Sequence, residues 1–217
     1  DAFYVSHALE PVTVPAQALA DAYLPPYDPP HRLDPAKPEG WGNVVSQDMY
    51  CRHRQAIEEA MQRVPALAAE ADREWAALSG RSWGVVERYR CDGADCVFVT
   101  MGSMCGTARE AVDALRAAGH AVGLVKLRLL RPLPVGALRA ALAGVADLLV
   151  LDRNHSPGLG GVLHQELRAA LYGMEGAPRI HGLLAGVGGV NVPPERLVAW
   201  AQAYRGRTPQ PESTWVR

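Results

Sequence analysis

From Ser82 onward, short apolar runs alternate with longer stretches in which apolar residues recur every three or four positions. Runs typical of buried strands occur at residues 85–89, 96–100, 122–129, 148–151 and 180–185. Helical periodicity follows each of the last four runs, and glycine or proline marks most of the turns. Four consecutive strand-then-helix units predict a three-layer α/β/α domain with a mostly parallel sheet and right-handed crossovers.

The chain before this domain has a different pattern. Eight of the 17 prolines lie in residues 1–38, which predicts an extended Pro-rich arm over residues 1–48, packed on its own domain or on a partner. Residues 49–81 carry a single apolar stripe and predict a long helical linker that packs on the domain, with a kink or a break at Pro65. We assign residues 82–206 to the α/β domain and residues 207–217 to a frayed tail.

Composition excludes several classes of protein. The net charge of −1 disfavours a nucleic-acid binder, and no apolar run approaches the ~20 residues that cross a bilayer. No signal peptide is visible at the start of the sequence. The four cysteines form no C-x-x-C motif, so no zinc or iron–sulfur site is indicated, and we expect free thiols in the cytoplasm.

Loops at the carboxyl ends of parallel strands are where ligands bind in such folds, and here they span residues 102–107, 130–134, 152–161 and 186–193. Their glycines match neither a dinucleotide-binding motif nor a phosphate loop, so we interpret them as tight turns. Asp152 could orient His155 or pair with Arg153, but we favour loop structure or contact with a neighbouring domain over catalysis. His164 opens a helical run and is predicted to lie at the surface or at an interface.

A series of short motifs resembles the alpha subunit of thiamine-dependent 2-oxoacid:ferredoxin oxidoreductases, the pyruvate:ferredoxin oxidoreductase type. Each motif is weak alone, but they occur in the order of the family and cover nearly the whole chain. They lie at residues 3–11, 33–38, 80–89, 101–112, 123–134, 151–158 and 186–189.

The resemblance implies a transketolase C-terminal-like domain, in which five strands lie between helix layers and the first runs antiparallel to the other four. The complete enzyme of this family cleaves a 2-oxoacid, with pyruvate our first choice, between its carbonyl and carboxylate carbons. Thiamine diphosphate with Mg²⁺ stabilises the carbanion, [4Fe-4S] clusters pass electrons to ferredoxin, and coenzyme A takes the acyl group.

We expect that this sequence departs from the family pattern by lacking the pyrimidine-binding domain that precedes this region in the family. We therefore carry over no catalytic, cofactor-binding or metal-binding residue, and we expect a support role within an oligomer. The expected partners are the pyrimidine-binding, diphosphate-binding and ferredoxin-like domains or subunits. The candidate contact residues are Gly102, Ser103, Arg131, Asp152, Arg153, Asn154 and Gly160.

Two alternatives remain open at this point. The chain could be a stand-alone interaction module, or a fragment of another thiamine enzyme such as a transketolase or a 2-oxoacid dehydrogenase beta subunit. The arm and the loop that begins at Asp152 fit the latter enzymes less well.

Overall fold

A computed structural model describes residues 13–216 of the chain, which form two compact units, residues 13–83 and residues 84–216. The resembling segment at residues 3–11 lies outside the described residues. Between residues 13 and 216, no helix is both long enough and apolar enough to cross a membrane.

The first unit consists of two helices joined by irregular backbone. Helix α1 spans Gln17–Tyr23 and interrupts the predicted extended arm. Helix α2 spans Gln47–Ser79 as one continuous helix, so Pro65 does not split it. The hydroxyl oxygen of Ser46 accepts the N–H of Met49 at the start of α2, and Gly80 ends the helix with a left-handed φ of 71°.

Aromatic contacts join α1 to the last third of α2. The rings of Tyr23 and Trp75 meet edge to face with centroids 5.3 Å apart, and the Tyr23 hydroxyl donates to the carbonyl of Ala71. No residue of either helix is fully buried, so this unit has no closed hydrophobic core of its own.

The second unit contains a six-stranded sheet in the order β1-β3-β2-β4-β7-β8. Its strands are β1 (Val86–Tyr89), β2 (Cys96–Thr100), β3 (Val122–Leu127), β4 (Asp147–Asp152), β7 (Arg179–Leu184) and β8 (Thr214–Trp215). Strand β1 runs antiparallel to β3, and every other pairing in this sheet is parallel. A separate two-stranded hairpin pairs β5 (His155–Ser156) with β6 (Gly160–Gly161).

The sheet confirms the predicted fold class, including the antiparallel first strand, and corrects two details. It has six strands rather than five, because residues 214–215 extend it as a short edge strand beside β7. The prediction of a frayed tail is therefore wrong for this segment. A two-residue strand has no periodicity to detect in a sequence, and only its pairing with β7 defines it.

Helices cover both faces of the sheet. They are α3 (Met104–Ala117), α4 (Val135–Ala141), α5 (Val162–Leu171) and α6 (Pro194–Tyr204). Residues Cys96 and Phe98 of β2 join the core beneath α3 and α6, whereas Val97 and Val99 join the core beneath α4 and α5. This alternation explains why β2 begins with four consecutive apolar residues, since both of its faces are buried.

Candidate functional site

The loops that follow β2, β3, β4 and β7 lie at the carboxyl edge of the parallel strands, as the sequence predicts. Four of the predicted contact residues meet there. The Arg153 guanidinium donates to the Ser103 hydroxyl at 3.4 Å, which joins the loop after β4 to the start of α3. Beside this contact is a cavity of about 400 Å³, lined by Thr100, Met101, Met104, Leu151, Asp152, Arg153 and Asn154.

Asp152 is the best-defined polar group at this edge. It ends β4, it is buried, and its two carboxylate oxygens accept the backbone N–H groups of Leu163 (3.1 Å) and His164 (2.9 Å). It therefore caps the N-terminus of α5. The suggested pairing of Asp152 with Arg153 or His155 is not among its contacts. Burial raises the pKa of the Asp152 carboxyl, while the two backbone hydrogen bonds act in the opposite direction.

The other predicted contact residues lie in the turns around this centre. Arg131, in the loop after β3, donates to Glu166 of α5 at 2.5 Å. Gly102 turns the chain before α3 with a φ of 67°. Gly160 has a φ of 97°, and a Cβ there would lie 2.9 Å from the Ser213 hydroxyl, so both its conformation and its surroundings favour glycine.

His164 and Ser213 form a contact that the sequence analysis missed. His164 is completely buried, so its predicted position at the surface or an interface is wrong. Its Nδ1 lies 2.9 Å from the Ser213 Oγ, which also accepts the backbone N–H of Gly161 at 2.9 Å. A Cβ at Gly182 would overlap the His164 ring, so this glycine in β7 makes room for the histidine.

The environment of His164 favours its neutral form. Burial, followed by the charge of Arg168, lowers its pKa from 6.5 to about 4. Although Ser213 and His164 have the spacing of a nucleophile and its base, the Ser213 oxygen is engaged by Gly161 and the imidazole has no exposed surface. The contact therefore holds the C-terminal segment in place.

A second polar cluster lies at the amino edge of the same sheet. Asp147, the first residue of β4, accepts two hydrogen bonds of 2.8 Å from Arg179 and one of 2.9 Å from the N–H of Gly206. Burial alone would raise the pKa of this carboxyl, but the hydrogen bonds from Arg179 and Gly206 outweigh it and lower the pKa. This cluster fixes the end of α6 against the sheet and faces away from the loops described above.

Neither edge offers a metal centre in the described part of the chain. Between residues 13 and 216, no three His, Cys, Asp or Glu side chains are grouped so that they could hold a metal ion. All four cysteines are free thiols, and burial raises the pKa of Cys96 to about 12 and that of Cys105 to about 11. Such thiols are poor ligands and poor nucleophiles at neutral pH.

Comparison with known proteins gives consistent results. Residues 94–197 match the family model for pyruvate:ferredoxin oxidoreductase core domain II. The chain is 36% identical over 216 residues to the pyruvate synthase subunit PorA of Methanothermobacter thermautotrophicus, which corresponds to 100% of this chain and 55% of that subunit. It is 35% identical over 190 residues to the ketoisovalerate oxidoreductase subunit VorA of Pyrococcus abyssi, covering 87% of this chain and 48% of that subunit.

A solved structure is also similar. One chain of the 2-oxoglutarate:ferredoxin oxidoreductase from Magnetococcus marinus, determined with 2-oxoglutarate, coenzyme A and succinyl-CoA bound, aligns with a TM-score of 0.45. The sequence identity is 26%, over 68% of this chain and 23% of that chain. The chain spans about half the length of the curated relatives that it matches.

Proposed function

Because this chain belongs to the alpha-subunit family of pyruvate:ferredoxin oxidoreductase-type enzymes, we propose that it is the non-catalytic C-terminal portion of such a subunit. Its role is to support the assembly of the domains and subunits that carry out the oxidative decarboxylation of a 2-oxoacid. The observation that carries the proposal is the similarity to PorA along the whole chain, which includes the arm and the long helix as well as the α/β unit.

The carboxyl-edge loops support an assembly role. Asp152 caps α5 and Arg131 pairs with Glu166, so these side chains are used to fix the shape of the edge. A loop whose conformation is set in advance loses little entropy when a partner binds it. We therefore propose that the loops around Asp152 and Arg131 contact a neighbouring domain or subunit.

The first unit supports the same role. Large apolar side chains in residues 13–83 are exposed to a degree that is unusual for a protein that acts alone, with Tyr27 92% and Leu33 88% exposed. Others that are more than half exposed are Val14, Leu24, Trp41, Val44, Tyr50, Ile57 and Leu67. We propose that further domains or subunits of the enzyme cover this surface.

The complete enzyme, in this proposal, contains thiamine diphosphate, Mg²⁺ and [4Fe-4S] clusters and uses coenzyme A and ferredoxin. Thiamine diphosphate, bound elsewhere in that enzyme, would supply the carbanion stabilisation that decarboxylation of a 2-oxoacid requires. The described residues do not fit the metal or the clusters, since they offer no group of ligands and their buried thiols are protonated. We propose that pyrimidine-binding, diphosphate-binding and ferredoxin-like domains or subunits hold these groups, in the cytoplasm.

Pyruvate is the substrate that we propose first, because PorA relatives are named as pyruvate synthase subunits. The similarity to VorA makes a branched 2-oxoacid the second candidate. Assays of the purified complete enzyme with pyruvate and 2-oxoisovalerate, with coenzyme A and ferredoxin present, distinguish the two. A preference for 2-oxoisovalerate would overturn the choice of pyruvate without affecting the assembly role.

The assembly role is tested by substituting Arg131→Ala and Asp152→Asn in the complete enzyme, with the exposed Arg88→Ala as the control. We expect the two loop variants to weaken subunit association about tenfold or more, as measured by analytical ultracentrifugation, while the enzyme that does assemble keeps its turnover number. Normal assembly with a lost turnover number would refute the proposal. Titration calorimetry with thiamine diphosphate should give no heat for the chain alone, and micromolar affinity would place a cofactor site in it.

A further inference from the structure

The last residues of the described chain contact the hairpin at the carboxyl edge from several directions. We define the C-terminal strap as residues 211–216 and the hairpin loop as residues 155–161. Strand β8 adds the strap to the sheet beside β7, and the N–H of Val216 donates to the carbonyl of Leu184 at 3.1 Å. The carbonyl of Pro211 accepts from Arg168 of α5 at 2.7 Å, so both ends of the strap are attached.

Between these attachments, Ser213 bonds the strap to the hairpin loop and to helix α5 with one hydroxyl group. Its Oγ accepts the N–H of Gly161 and lies against Nδ1 of the buried His164. Gly160 passes so close to this hydroxyl that a Cβ there would lie 2.9 Å from it. The second strand of the hairpin therefore rests directly on the strap.

The beginning of the hairpin loop also rests on the strap. The His155 ring and the Trp215 ring lie with centroids 4.9 Å apart at an angle of 56°. His155 pairs with Gly161 across the hairpin, so the two contacts secure opposite strands of the same small element. A two-stranded hairpin of two residues per strand is not stable by itself, and neighbouring elements must hold its conformation.

We propose that the C-terminal strap sets the conformation of the hairpin loop, so that detachment of the strap releases the loop. For the loop as a partner contact, this inference rests on the proposed function. The strap is then a conformational control on assembly, because a loop that must be ordered during binding costs affinity that a preformed loop does not. Binding of a partner to the loop and attachment of the strap stabilise each other, since linkage is reciprocal.

The first test is amide hydrogen exchange on the full chain, comparing wild type, Ser213→Ala and the control Thr214→Val, which removes the neighbouring hydroxyl from the same strap. We expect Ser213→Ala to accelerate exchange across residues 155–161 by roughly 10- to 100-fold and the control to change it by less than about threefold. Exchange in β2, at the centre of the sheet, should stay as in wild type.

Two results would overturn the inference. One is faster exchange in the strap with unchanged exchange in the hairpin loop, which would show that the loop holds itself. The other is faster exchange throughout the sheet, which would show that Ser213 stabilises the whole unit. Should Ser213→Ala not fold, Trp215→Ala removes the more exposed ring contact, and the same comparison of loop and sheet applies.

The second test separates this inference from the proposed function. Association with the other subunits is measured for Ser213→Ala and for Arg131→Ala, which alters the same edge without touching the strap. If Ser213→Ala loosens the loop but neither variant changes association, the strap inference stands and the proposed contact role of this edge fails. If Ser213→Ala leaves loop exchange unchanged while Arg131→Ala weakens association, the contact role stands and the strap inference fails.

Discussion

Replacement of Gly161 by alanine is the sharpest test of how the carboxyl edge is built. A Cβ at this position would overlap Oδ2 of Asp152 and lie 2.9 Å from its Cγ. The carboxylate is buried and bonded to two N–H groups of α5, so moving it aside breaks these hydrogen bonds. Gly161→Ala must therefore either displace the carboxylate from the helix or move the backbone of the hairpin.

The expected cost has two parts. Forcing an extra methyl group into a well-packed site costs about 1–3 kcal/mol, and the loss of an N-terminal cap costs about 1 kcal/mol. Together they should lower the free energy of unfolding by about 2–4 kcal/mol. The matched control is Gly136→Ala in the first turn of α4, where a Cβ would meet nothing within 4 Å. Alanine in that helix should be neutral or stabilising, by up to about 1 kcal/mol.

Urea unfolding followed by circular dichroism measures both variants against wild type. An unfolding free energy of Gly161→Ala within about 0.5 kcal/mol of wild type would refute the reasoning, because the overlap with Asp152 would then be relieved at no cost. A crystal structure of the variant would show the displaced group directly. A large loss in Gly136→Ala would contradict the same reasoning, since the structure gives that methyl group free space.

Three further predictions concern other buried groups. Asp147→Ala should lower the free energy of unfolding by about 2–4 kcal/mol, because it leaves the Arg179 guanidinium and the N–H of Gly206 without their acceptor. The control Asp92→Ala breaks an exposed ion pair and should cost less than about 1 kcal/mol. Similar losses for the two variants would contradict this prediction. The pKa of His164 is about 4 in the folded chain and 6.5 in the unfolded chain, so folding favours the neutral imidazole. Its contribution to the free energy of unfolding is therefore fully present above pH 6.5, and up to about 3 kcal/mol is lost as the pH falls to 4. His164→Asn should remove this part of the pH dependence, as measured by unfolding at a series of pH values. Iodoacetamide should label the exposed Cys51 in the native protein and leave Cys96 unmodified, because burial raises the Cys96 pKa to about 12, and mass spectrometry of native and unfolded samples reads the difference.

The sequence predicts the fold correctly for those elements whose own residues show the apolar pattern of a strand or a helix. Strand β2 reads as a continuous apolar run because helices cover both of its faces, and the helix between residues 104 and 117 shows the expected apolar period. At Pro65 the sequence predicts a kink or a break, and the long helix continues through this residue without a break.

The contacts at the carboxyl edge of the sheet could be predicted from the sequence only in part. A cluster of polar residues after β4 marks the place, but nothing in the sequence tells which backbone groups Asp152 accepts. His164 lies next to Leu163 on the buried side of α5 and fits there only because Gly182, 18 positions later, has no side chain. The role of Ser213 depends on the neighbouring strand β8, which consists of only two residues and is defined by its pairing with β7. Such contacts between distant residues are properties of the tertiary structure, and local periodicity does not contain them.

Strand β4 carries a buried carboxylate at each of its two ends, one at the amino edge and one at the carboxyl edge of the sheet. It begins with Asp147 and ends with Asp152, and both buried carboxylates accept backbone N–H groups, one from Gly206 beyond α6 and the other from the start of α5. The strand therefore fixes a following helix at each end, and its central position keeps both carboxylates in register. Under the proposed assembly role, a partner that binds the loop after Asp152 would be connected directly to a strand that is paired on both sides, with β2 and with β7.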